Sequence, residues 1–183
     1  MIHLSATELL EDQLARSLGL DKYAKIMKRA TTVDVSCDPE FQREFNGFYR
    51  VRRNAEWRKS YYQLFERAKK ESYSFGDVVG SLYGYTGSIE TSFASKMIAT
   101  IDPGKPIWDR YVLQNLGLEL KGKTPLEKVK SADEIFHRIE EWYAAYLKTE
   151  EALENIAVFD QTLPGYKWLT DIKKIDYLLW CKR

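Results

Sequence analysis

A chain of 183 residues with 44% hydrophobic, 14% aromatic and 30% charged residues has the apolar material for one packed domain, which excludes global disorder. The 28 Lys+Arg nearly cancel the 27 Asp+Glu, so a uniformly basic nucleic-acid binder is excluded while local patches stay open. Two distant cysteines, Cys37 and Cys181, rule out a CxxC metal knuckle and a four-thiolate cluster. No secretory pattern opens the chain and no apolar run reaches membrane-spanning length. The expectation is a soluble cytoplasmic protein with reduced thiols, no membrane partner, no metal and no cofactor.

The elements read as helix after helix. Ser5 to Glu8 forms a capping box, and Leu9, Leu10, Leu14 and Leu18 follow at helical spacing until Gly19 is expected to stop the helix. Asp21 to Arg29 predicts a second helix, and Thr31 to Cys37 a short strand or an extended segment. Asp38-Pro39 opens a helix carrying Phe41, Phe45, Phe48 and Tyr49, with Gly47 ending or weakening it. Asn54 caps the next, whose apolar stripe is Trp57, Tyr61, Leu64 and Phe65. Helices are predicted over Phe75 to Tyr83, Glu90 to Ile101 and Pro106 to Leu116, the last closed by Gly117. Thr124-Pro125 and Ser131 to Glu134 are two further start signals, the second heading a helix through Leu147. Glu150 to Phe159, a turn at Leu163-Pro164-Gly165, and Asp171 to Cys181 with Ile172, Ile175, Leu179 and Trp180 for docking complete the chain. The sum is an all-α fold of about eight to ten helices, one domain over 1–183 or two interleaved lobes, with a hairpin region at 75–118.

Charge is sorted along the chain. From Arg43 to Lys70, nine basic residues face three acidic ones, whereas from Ser131 to Asp160 eight acids face two bases. The net +1 therefore conceals a +6 and a −6 segment. The Arg50-Val51-Arg52-Arg53 cluster, with Tyr49 before it and Trp57 after, is either a phosphate grip with stacking planes or a solvated helix junction. Tyr85 to Lys96 is a glycine turn leading into a hydroxyl-rich helix start, which is either a cap or a backbone-amide site for phosphate. Asp109 stands in the first turn of an amphipathic helix, where acids usually serve as caps or dipole partners. His3 and His137 have no partner motif in the sequence.

Taken together, the helix, Gly turn, second helix, Pro/Gly connection and helix-opening Asp109, followed by Leu116-Gly117-Leu118, resemble the helix-hairpin-helix DNA glycosylase superfamily, which includes endonuclease III and the oxoguanine and alkyladenine glycosylases. The stretches FYRVRRNAEWRKSYYQLFE and TSFASKMIATIDPGKPIWDRYVLQNLG resemble a bacterial branch of it. The resemblance covers Phe75 to Leu118 best. It implies a double-stranded DNA partner, phosphate contacts at Gly87, Ser88, Thr91, Ser92 and Lys96, and Asp109 as the catalytic carboxylate. Arg50, Arg52, Arg53 and Arg58 become candidates for strand phosphates or the opposite base, with Trp57 or Tyr61 stacking on the extruded base. Two departures matter: Ile89 occupies the place of the hairpin's second glycine, and Thr91 that of the Schiff-base lysine. A monofunctional N-glycosylase without lysine-based lyase activity is the implied enzyme. The alternatives are a non-catalytic DNA-binding helical domain and a protein–protein module in which the −6 segment meets a basic partner.

Overall fold

The computed structural model describes residues 3–11 and 13–182, the side chains of 13–18 excepted. Among the described residues every regular element is helical: α1 (Ala6–Leu9), α2 (Gln13–Thr32), α3 (Pro39–Tyr49), α4 (Ala55–Lys70), α5 (Phe75–Thr86), α6 (Thr91–Ile101), α7 (Arg110–Leu116), α8 (Pro125–Tyr146), α9 (Glu150–Thr162) and α10 (Asp171–Cys181), with a 3₁₀ turn at Pro164–Tyr166. The all-α expectation holds. No described helix is long and apolar enough to cross a membrane. Cys37 and Cys181 are not joined in a disulfide.

Local chemistry sets most boundaries. The Asp38 carboxylate accepts from the Phe41 amide at 2.6 Å, and the side-chain amide oxygen of Asn54 from the Trp57 amide at 2.8 Å, so both helices start on a capped amide. Thr124 and Glu127 close a reciprocal capping box ahead of Pro125, as Ser74 and Asp77 do ahead of α5. Gly87 and Gly117 end α5 and α7 at φ 69° and 61°, the left-handed region that glycine enters without a Cβ clash. The loop before α8 turns on Gly122 at φ 133°, where a Cβ would stand 2.8 Å from the Lys128 backbone nitrogen and 2.9 Å from the Glu127 carbonyl carbon. Gly122→Ala is therefore expected to fray the first turn of α8 and cost about 1–3 kcal/mol or more in urea unfolding; an unchanged midpoint would show that the loop relaxes freely.

Several expected boundaries are corrected by burial. Helix α2 runs through Gly19 because Leu20, Tyr23 and Ile26 beyond it are 1%, 2% and 0% exposed, and one continuous helix buries them together. Leu14 and Leu18 lie outside the described side chains. No strand forms at Thr31 to Cys37: α2 extends to Thr32, and the following turn is pinned to α4 by Val35 N–H donating to Glu66 and by Lys69 donating to the Val33 carbonyl. Burial raises the Glu66 pKa, but hydrogen bonds from Lys69, the Val35 amide and Lys70 outweigh it and hold the carboxyl below its ordinary value. Ser131 starts nothing, since its hydroxyl accepts from the Lys121 amide in mid-α8, and Asp133 accepts from the Gly76 amide. Pro106 opens no helix either, because 106–109 has no regular structure and α7 begins at Arg110. Trp180, expected to dock, is 47% exposed.

One continuous core joins these helices, from Leu4 to Leu179. Its densest part is aromatic: Phe41, Phe45, Tyr61, Tyr62 and Phe65 from α3 and α4 are all 0% exposed and meet edge-on or tilted, except that Tyr62 and Phe65 stack. Phe75 of α5 stacks between Trp108 and Phe136, at 5.8 and 4.0 Å, fastening α5 to α8 and to the segment before α7.

Candidate functional site

The hairpin expected from the sequence forms between α5 and α6. Gly87 N–H donates to the Tyr83 carbonyl at 2.8 Å, and Ser88 N–H to the Thr86 hydroxyl at 3.2 Å. Both amides are thus used inside the turn. Ile89, where the resemblance would put a second glycine, packs against the core. Helix α6 then begins at Thr91 without a side-chain cap, since Glu90 at the cap position makes no such bond. Thr91 and Ser92 are half-buried and Ser88 is exposed. The first amides of α6, unlike that of Ser88, carry no side-chain cap.

Glu90 is 7% exposed and its two carboxylate oxygens lie 2.7 and 2.9 Å from Arg53 Nη2. The same guanidinium stands 5.6 Å from the Trp57 ring centroid and 5.6 Å from that of Phe93. Arg53 is therefore anchored to α6. Arg50 and Arg52 point outward from either side of Val51, which is 6% exposed and pegged into the core. Arg50 itself terminates α3 at φ 53°, and Arg58 is half-buried.

The stacking residues sit elsewhere than expected. Tyr61 is 0% exposed, stacked on Trp57 at 5.0 Å, with its hydroxyl donating to the Phe93 carbonyl. It presents no ring face to a base, and Trp57, 9% exposed, presents little. Their apolar rings complete the α4–α6 contact instead, where burial removes more area from water than a surface stack would.

Asp109 is half-buried and caps α7, accepting from the Tyr111 amide at 2.8 Å. Its neighbour Trp108 donates its backbone N–H to Ser95 Oγ at 2.9 Å, which ties the 106–109 segment to the second turn of α6. Lys96 Nζ, on the same turn, lies 4.8 Å from the Phe93 ring centroid and 5.7 Å from that of Tyr49. Within two turns, α6 thus carries the hairpin, the Arg53 anchor, Lys96 and the segment that presents Asp109. Neither of two surface grooves beside α4 includes Asp109.

No family model, no curated protein and no solved structure matches this chain. What the site can do follows from its own geometry.

That geometry contains groups the sequence does not single out. Behind the 106–109 segment, Tyr143 of α8 donates its hydroxyl to Asp176 of α10, and the Ile107 amide favours the charged form of the same carboxylate. Lys173, one turn earlier on α10, holds its ammonium 4.6 Å from the Tyr23 ring centroid. The second Asp176 oxygen is buried without a hydrogen-bond partner, and the buried Tyr49 hydroxyl meets Thr100. Burial raises the Asp176 pKa against the opposing pull of Lys173, Tyr143 and Ile107, and burial lowers that of Lys173. Five polar side chains from α2, α3, α8 and α10 thus gather around Asp176, which the Ile107 amide links to the 106–109 segment. Only the i,i+3 pair on α10 was visible in sequence, and such a pair ordinarily signals a solvated face.

A pH test follows from the sign of the shift. A carboxyl raised on folding contributes stability that is present below its unfolded pKa and lost as pH rises through its folded value. Between about pH 3 and 7 the unfolding free energy of Asp176→Asn should therefore gain on that of the wild type, whatever the starting difference. A gap that stays constant across urea melts in that range would refute the raised pKa.

The histidines lie apart from this region. His3 meets Glu151 at 3.0 Å and His137 meets Glu140 at 3.0 Å, both as exposed pairs. Among the described residues no three metal-ligating side chains converge.

Proposed function

We propose that this chain is a DNA-binding protein of the helix-hairpin-helix glycosylase type, in which Asp109 assists hydrolysis of the N-glycosidic bond of a base turned out of a duplex. The observation that carries the reading is the collection on α6 of the hairpin, Arg53, Lys96 and, through the Trp108–Ser95 bond, the Asp109 segment. Exposed Arg50 and Arg52, with the uncapped start of α6, offer donors to strand phosphates. Ionised Asp109 would face the positive charge that develops on the sugar as the bond to the base breaks and water adds to the anomeric carbon. Thr91 has no amine, so the reaction ends at base release without an imine.

The test is release of free base from a panel of lesion-bearing duplexes by the wild type and by Asp109→Asn. Release that survives the substitution would remove Asp109 from the reaction.

One observation favours a second reading, a duplex binder without chemistry. The Glu90 carboxylate stands at the start of α6, and the Gly87 and Ser88 amides are already bonded, so the hairpin's grip on phosphate is weaker than an open glycine turn would give. Duplex affinity that falls steeply with salt, with no base released, would support this alternative.

A further inference from the structure

Beside the hairpin, on the flank of α4, two adjoining hollows of 480 and 220 Å³ share Ser60 and Tyr85 as lining residues. Tyr85 is 50% exposed, one of few large apolar side chains on the surface. Its ring is held in place: Arg67 lies with its guanidinium 5.7 Å from the ring centroid and donates from Nη2 to the Tyr85 hydroxyl. A ring fixed before a ligand arrives loses less rotamer entropy on binding, and the guanidinium plane extends the stacking surface.

The charge of the larger hollow decides what it suits. Arg67 and Lys70 are balanced there by Glu66 and Glu71, and Lys70 is already 3.1 Å from Glu66. A phosphate would gain little from such a balanced wall. A neutral planar group with donors and acceptors along its edge fits better, because Ser60, Gln63 and Glu71 offer both kinds of partner. The smaller hollow ends at Asn54 and Trp57, next to the arginine segment, and the Trp57 indole N–H is a buried donor without an acceptor. Exposed Arg52 and Lys59 flank the lining residues Asn54 and Ser60 along the chain.

We infer that the hollows beside α4 hold one unpaired nucleotide of a nucleic-acid strand, its base stacked against Tyr85. The inference rests on the nucleic-acid reading above but on none of the residues that reading gives to chemistry. Stacking on an aromatic platform serves any base, so the site selects unpaired over paired nucleotides rather than one sequence over another.

The test compares binding of a short fluorescent oligo(dT) and of a fully paired duplex of the same length by wild type, Tyr85→Ala, Tyr85→Phe and Arg67→Ala, each checked for folding by its thermal melt. Tyr85→Ala is expected to weaken oligo(dT) binding about 5- to 100-fold and leave the duplex unchanged, with Tyr85→Phe restoring most of the loss. Arg67→Ala should fall between the two. Equal losses on both probes, no loss on either, or a wild type that does not bind oligo(dT) would overturn the inference. Duplex binding without any role for Tyr85 removes this site and leaves the hairpin reading standing, whereas Tyr85-dependent oligo(dT) binding without duplex affinity does the reverse.

Discussion

Asp109→Asn is expected to lower base release by about 10²–10³-fold while leaving the melting temperature and the duplex Kd of the protein nearly unchanged. The separation follows from the position of the side chain. Asp109 caps α7 through one oxygen that accepts from the Tyr111 amide, and asparagine caps a helix about as well as aspartate. What asparagine lacks is the negative charge. Loss of release with an intact fold would therefore belong to electrostatics at the sugar and not to the helix start. Asp109→Ala supplies the contrast, since it removes cap and charge together and should also cost about 1 kcal/mol of stability. Unaltered release in the asparagine variant would leave the duplex-binding alternative as the better account.

The largest stability effect is expected at Phe45. This ring is 0% exposed and lies between 4.7 and 6.0 Å, centroid to centroid, from Phe41, Tyr49, Tyr61, Tyr62 and Phe65. Phe45→Ala removes its buried area and leaves a cavity walled by rings that cannot collapse without breaking their own edge-to-face contacts. The expected loss is about 3–5 kcal/mol, a large share of the roughly 5–15 kcal/mol that holds an ordinary domain together. Urea denaturation at constant slope measures it. Phe45→Leu should lose clearly less, because it fills most of the space and forfeits mainly the ring geometry. Equal losses for the two variants would mean that volume does not govern this site.

How much of this was legible in the sequence differs by level. Helix starts at Asp38, Asn54 and Thr124 were readable because a cap is local: one side chain meets an amide two or three residues on. The stop at Gly117 was readable for the same reason, whereas α5, expected to end at Tyr83, runs through Gly84 and stops only at Gly87. Gly19 and Ser131 misled because their fate is decided from outside their own segment. Gly19 is carried through by the burial of Leu20, Tyr23 and Ile26, and Ser131 spends its hydroxyl on Lys121. The candidate site splits in the same way. The hairpin and the Asp109 cap lie within one stretch of chain and were anticipated. That Trp57 and Tyr61 face inward was legible in the apolar stripe of α4, but their partner was not, because the ring and carbonyl they contact belong to Phe93, thirty-odd residues away. The Asp176, Tyr143, Lys173, Tyr23 and Tyr49 group draws on four helices, and no spacing along the chain records that meeting.

The division of the tryptophans between core and surface gives the protein an optical signature. Of its five indoles, Trp57 and Trp108 are 9% and 8% exposed, Trp142 is half-buried, and Trp168 and Trp180 are 56% and 47% exposed. A collisional quencher such as acrylamide should extinguish the red, solvent-relaxed part of the emission first and leave a blue component from the shielded pair. Because the Arg53 guanidinium stands 5.6 Å from the Trp57 ring, a strand laid on that arginine would change the unquenched component alone. The protein's own fluorescence can therefore report occupancy of the arginine segment without an attached dye.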